Sequence, residues 1–130
     1  MKLSLIDERT MPAPVDAEIR RGLCICFPGD AALFSRSRAW HGSAPEFSVV
    51  LEDADRIVAH AGVVARTIGV GQTLLRVAGV QNVFVRPEYR GRGLSIRVVE
   101  AAIQEAAGRS FDAGLLFCVP ALQSVYACCG

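Results

Sequence analysis

Apolar and polar residues alternate from Lys2 to Asp7, the period of a short strand. Pro12 and Pro14 prepare a helix from near Asp16, an acid in the first turn where the helix dipole favours one. Ile19, Leu23 and Cys26 recur on it at helical spacing, Pro28-Gly29 ends it, and Asp30 is placed to cap a second short helix through Ala31, Ala32, Leu33 and Phe34. From Glu46 the period drops to two. Phe47 to Leu51 reads as a strand and Glu52-Asp53-Ala54-Asp55 as a polar hairpin turn. A Val- and Ala-rich run, Ile57 to Ile68, is broken at Gly69-Val70-Gly71-Gln72, and a third run extends from Thr73 to Val85. The alternation slips at Val80-Gln81-Asn82-Val83, which predicts a bulge there.

After Gly93 the period becomes helical: Leu94, Val98, Ala101 and Glu105 mark successive turns, Ile96, Val99 and Ile103 widen the apolar face, and Gly108 fits a C-terminal cap. Phe111 to Val119 is a nearly continuous apolar run, as expected of a strand buried on both faces, and Pro120 stops it. A short closing helix follows over Ala121 to Cys129. Short links between the three middle strands predict an antiparallel meander, while Val80–Val85, the long helix and Leu115–Val119 form a parallel β-α-β crossover spanning about residues 80–119. The fold class expected is α+β in three layers: a mixed, mostly antiparallel central sheet with helices on both faces.

The 130 residues fit one domain, residues 1–130, and 52% hydrophobic content is too high for a disordered tail. A net charge of +1 argues against a nucleic-acid partner. No run approaches the roughly 18 apolar residues of a membrane span, and the acids Asp7 and Glu8 interrupt the place of an export signal. Five cysteines, an odd number, do not suggest a disulfide framework; their spacing lacks the paired pattern of zinc, so no metal is expected. Reduced, mainly structural thiols and a cytoplasmic location follow as expectations.

Chemistry concentrates in Val83-Phe84-Val85-Arg86-Pro87-Glu88-Tyr89-Arg90-Gly91-Arg92-Gly93-Leu94-Ser95. This is a buried strand, a proline-stiffened turn and a basic glycine loop opening onto a helix N-terminus. Unpaired N–H groups and the positive end of the helix dipole bind phosphate oxygens, and Gly91 and Gly93 let the backbone approach them. Two other phosphate motifs fail: Leu94 follows Gly93 where a Walker loop needs Lys, and Ile96 stands where a dinucleotide fingerprint needs its third Gly.

At these residues the chain resembles the Gcn5-related N-acetyltransferase superfamily, whose motif A reads Arg/Gln-x-x-Gly-x-Gly/Ala. Arg90-Gly91-Arg92-Gly93-Leu94-Ser95 matches it, with Ser95 in the last small position. The resemblance runs from about Glu46 to Gly130. It implies that the loop amides hold the pyrophosphate of coenzyme A and that Val83, Phe84 and Val85 pair with the pantetheine arm. Val125-Tyr126-Ala127-Cys128-Cys129-Gly130 resembles the family's Tyr motif, which makes Tyr126 the acid for the departing thiolate. Because that motif ends at Gly130, the resemblance further implies that the last strands are missing, and that the uncovered edge of Phe111–Val119 favours a homodimer. Two branches are nearest, on Phe27-Pro28, Arg38-Ala39-Trp40-His41, Pro45-Glu46 and Val58-Ala59-His60-Ala61-Gly62: aminoglycoside 2′-N-acetyltransferases and nodulation N-acyltransferases.

The activity implied is N-acyl transfer, first of all acetyl from acetyl-CoA, to an amine of a small molecule by direct attack. A longer acyl donor on CoA or a carrier protein, and a CoA-binding domain without catalysis, are the alternatives. Relatives place a Glu near Gly79, Gln81 and Asn82, none of which is a base. His60 has a suitable ordinary pKa and is the base candidate ahead of Glu46 and Glu52; Trp40 and His41 are placed to line an acceptor pocket.

Overall fold

A computed structural model describes residues 1–38, 45–109 and 111–116, the last four by their backbone. Strand β1 (Lys2–Asp7) leads through a 3-10 turn into helix α1 (Ala13–Cys26), followed by the one-turn α2 (Ala31–Phe34). Strands β2 (Phe47–Asp53), β3 (Arg56–Val70) and β4 (Thr73–Val85) form the meander, and α3 (Leu94–Gly108) leads to β5 (Ala113–Leu116). The sheet order is β1-β2-β3-β4-β5. Each of the first four strands is antiparallel to its neighbour, and β5 joins β4 in parallel with Val77 opposite Ala113 and Val80 opposite Leu116. The crossover is therefore present, and its described pairing begins at Val77 rather than Val80.

Alternation in β2 separates two apolar layers. Phe47, Val49 and Leu51 pack with Val98, Val99, Ala102 and Ala106 of α3, while Val50 joins Ile19 and Leu23 of α1 and Phe34 of α2 on the opposite face. Each such fully buried aliphatic side chain contributes about 1.5–3 kcal/mol. Two local expectations need correcting. Asp30 makes no side-chain bond to α2, because Pro28–Asp30 is itself a 3-10 turn that carries the chain straight into that helix. Gly108 is the last residue of α3 rather than a left-handed cap; Arg109 follows with φ of −101°.

Part-buried ion pairs hold α1 in place, one of them against the sheet. The Arg86 guanidinium at the end of β4 donates to the Ile57 carbonyl at 2.8 Å and to Glu18 of α1. Arg38, 5% exposed, bonds Glu8 beyond β1 and Asp16 of α1. Burial works against its charge, but these two carboxylates hold its pKa above the ordinary value. The bond from Arg38, with that of Arg20 at 2.9 Å, outweighs burial at Asp16 and lowers its pKa.

Candidate functional site

The end of β4, the turn after it and the start of α3 enclose a cleft of about 410 Å³. Val83, Phe84, Val85, Arg90, Gly91, Gly93, Leu94 and Ser95 all line it, so most of the sequence-predicted phosphate and pantetheine residues share one wall. Arg92 does not: its guanidinium lies over the Tyr89 ring, 5.2 Å from the centroid. Gly91 and Gly93 have φ of +82° and +70°, a region that costs other residues energy, and a Cβ built at either would meet nothing within 4 Å. Gly93 is also the N-cap of α3, which no side chain caps. The loop is thus open, left-handed and aimed at a helix start, an arrangement suited to an anionic oxygen.

Three lining residues escaped the sequence reading. Cys26 and Phe27 come from the end of α1 and form the wall facing β4; the Cys26 thiol lies 3.5 Å from the Val85 carbonyl, and burial raises its pKa. Tyr89 donates its hydroxyl to Asp53 at 2.7 Å, which raises the phenol pKa and fixes the turn to the end of β2. Its position inside the motif was the available signal. Nothing local marked Cys26, and Phe27 stood only in the branch resemblance and not as a lining residue; helix packing brings both there.

His60 sits on β3 behind the cleft wall rather than in it. It is 1% exposed and stacks on Phe84, with ring centroids 5.4 Å apart. Its Nδ1 lies 2.8 Å from the Asn82 carbonyl, so Nδ1–H donates there. Nε2 is buried without a hydrogen-bond partner among the described residues. Burial lowers its pKa to about 4, aided by the field of Arg38 and opposed by the bond to Asn82, so the ring is neutral near pH 7. Asn82 lies in the predicted bulge: His60 pairs with Phe84 and Gly62 with Gln81, leaving Asn82 and Val83 opposite Ala61 alone. Its φ is +55°. Glu46 is ion-paired with Arg76 at 3.2 Å, and Glu52 lies at the C-terminal end of β2 next to Asp53, outside the cleft lining. Tyr126, Trp40 and His41 lie outside the described residues, as do Cys118, Cys128 and Cys129. Among the described residues no three His, Cys, Asp or Glu side chains could hold a metal, and no helix is long and apolar enough to cross a membrane.

Comparison with known proteins bears on both fold and lineage. The family model of nodulation protein A (NodA) matches residues 3–127. Nodulation protein A of Rhizobium leguminosarum bv. trifolii is 39% identical over 80 residues, 60% of this chain and 41% of that protein; the match thus spans about two fifths of that relative's length. A Gcn5-related N-acetyltransferase from Anabaena variabilis superposes with a TM-score of 0.75 at 20% identity, covering 97% of this chain and 31% of its own. The aminoglycoside N-acetyltransferase AAC(6')-Iy, solved in complex with CoA, gives a TM-score of 0.69 at 16% identity, covering 99% and 87%. The fold is that of the Gcn5-related N-acetyltransferases.

Proposed function

This chain belongs to the nodulation protein A family, and on that premise we propose that it is an N-acyltransferase that moves an acyl group from a phosphopantetheine thioester to an amine of an amino sugar. The observation that carries the reading is the cleft in which the open Gly91–Gly93 loop, the start of α3 and the end of β4 meet. A phosphate would lie against the loop amides and the α3 N-terminus, with Arg90 adding positive charge at the rim. The pantetheine arm would run along Val83, Phe84 and Val85, opposite Phe27.

In the reaction the neutral amine attacks the thioester carbonyl, the C–N bond forms and the C–S bond breaks. The oxyanion would meet a backbone N–H near Val83, where β4 leaves its regular ladder at the bulge. Tyr126, by family resemblance, would return a proton to the departing thiolate. The amine also loses a proton. A buried imidazole with a pKa of about 4 accepts it poorly at neutral pH, which favours water as the carrier over His60.

Acetyl-CoA was the first donor expected from the sequence. Family membership favours the second expectation, a longer acyl thioester, and an acceptor of the chitooligosaccharide kind. Calorimetry with acetyl-CoA, a long-chain acyl-CoA and acyl carrier protein separates the donors. Thiol release with a partly deacetylated chitooligosaccharide tests the acceptor. Failure of all three donors to bind at millimolar concentration overturns the reading. Binding without thiol release across a panel of amines would leave a CoA-binding domain without catalysis.

A further inference from the structure

His60 is the most deeply buried titratable group among the described residues and touches both features that shape the cleft wall. Its Nδ1–H donates to the carbonyl of Asn82, the left-handed residue of the bulge, and its ring supports Phe84 by stacking. Asn82 is gripped a second time: its side-chain amide donates to the Arg38 carbonyl at 3.1 Å. Arg38 is in turn anchored by Glu8 and Asp16. Phe84 has little room to move, because a Cβ on Gly22 of α1 would come within 2.3 Å of its ring. A non-glycine residue with positive φ persists where its surroundings over-determine it, and here two hydrogen bonds from different elements do so. The next residue, Val83, is the first of the three that line the cleft wall on β4.

From this geometry we infer that His60 is a positioning residue: it holds the β4 bulge, and with it the Val83 backbone, through an Nδ1–H bond to Asn82, and does not carry the proton of the reaction. The role deepens the acyl-transfer reading and rests on it. Arg38 is the charged group whose field reaches the ring; it supplies no carboxylate to stabilise an imidazolium. A one-bond shift of Val83 would move the N–H meant for the oxyanion while leaving the phosphate loop untouched.

The test pairs His60→Leu, which fills similar volume without a donor, with His60→Asn, whose amide nitrogen reaches about where Nδ1 does. His60→Leu is expected to lower kcat by about tenfold or more, with the affinity for CoA by calorimetry within about twofold of the wild type. His60→Asn is expected to restore most of that loss with no new break in the pH profile. Nitrogen-15 spectra of the wild-type imidazole are expected to show neutral, Nδ1-protonated His60 from pH 8 down to 5. A wild-type kcat in a folded His60→Leu protein overturns the inference. So does an Nε2-protonated tautomer, or an imidazole titrating near pH 6.5 in step with kcat/KM. Should His60→Leu fail to fold, His60→Asn and the wild-type spectra still decide. A wild-type protein that binds no donor defeats the acyl-transfer reading, while the spectra separately decide the hydrogen bond.

Discussion

Asn82 and the pair Gly91 and Gly93 adopt the same left-handed backbone, with φ of +55°, +82° and +70°, and hold it by opposite means. Asn82, half-buried on β4, is clamped from both sides, by His60 and by the Arg38 carbonyl. The two glycines have empty space where a side chain would stand, and their conformation costs little because they lack one. One site is closed by contacts and the other is open, as the proposed phosphate site requires. Substitutions in the loop should therefore change binding more than stability, and substitutions around the bulge should do the reverse unless, like His60→Asn, they keep the clamp.

The largest effect tests the open side. Gly93→Glu places a carboxylate at the N-terminus of α3, where a phosphate would sit, and the empty surroundings let it fit without displacing a neighbour. CoA affinity by calorimetry should fall by about a thousandfold, roughly 4 kcal/mol. The left-handed strain should lower stability by only about 1–2 kcal/mol. A variant that binds CoA normally would show that the loop is merely a tight turn.

On the closed side, pH supplies the next test. The folded pKa of His60 is about 4 against 6.5 for an unperturbed imidazole, so the unfolded chain binds more protons between these values. Stability is full above about pH 6.5 and is lost as pH falls towards 4, on the order of 3 kcal/mol in all. Asp16, whose pKa is also lowered, adds its loss only below the ordinary carboxylate range, so among the described residues with a shifted pKa the window between 4 and 6.5 belongs to His60. Urea denaturation from pH 7 to 4.5 measures the slope, and His60→Asn should flatten it. A slope that survives that substitution would locate the titrating group elsewhere.

The same contrast decides what could be read from the sequence. The loop was legible because its chemistry is local: strand, proline, glycines and helix lie within Val83–Ser95. The run β2-β3-β4-β5 was legible from the short links and from the long helix between two apolar runs, whereas the place of β1 beside β2 was not, because α1 and α2 separate the two strands in sequence. The bulge was visible as slipped alternation, but its partners were not, since Arg38 and His60 lie far from Asn82 in sequence and meet it only in the folded sheet. An asparagine at that slip, a residue type enriched at positive φ, was the signal available for the left-handed site. Cys26 and Phe27 carry no comparable mark. They enter the cleft because α1 lies close to β4, and that closeness depends on a glycine.

Gly22 makes that dependence testable. Alanine there would gain about 1 kcal/mol of helix propensity but force the Phe84 ring away from a Cβ placed 2.3 Å from it, an overpacking cost of about 1–3 kcal/mol. The net expectation is a loss of about 1 kcal/mol of stability and at most about 2, read as a lower Tm. The Phe84 displacement should also weaken CoA affinity, though by less than Gly93→Glu does. A Gly22→Ala protein as stable as the wild type would mean that α1 can slide along β4 and that the closed side is softer than its contacts imply.

Arg92→Ala carries the smallest effect and separates charge from geometry within the loop. Arg92 is exposed, lies outside the cleft lining and rests over Tyr89, whereas Arg90 lines the cleft and donates to the Val85 carbonyl at 3.1 Å. An exposed cation over an aromatic ring is worth about 0.5–1 kcal/mol, and its pull on a nearby phosphate is screened at physiological salt. Arg92→Ala should therefore weaken CoA by less than about fivefold, with the difference shrinking as salt rises. The α3 N-terminus and the two glycines would then account for recognition by backbone rather than by arginine charge. A tenfold or larger loss that persists at high salt would place Arg92 directly on the phosphate, and the open side would then be completed by a side chain as well as by its ligand.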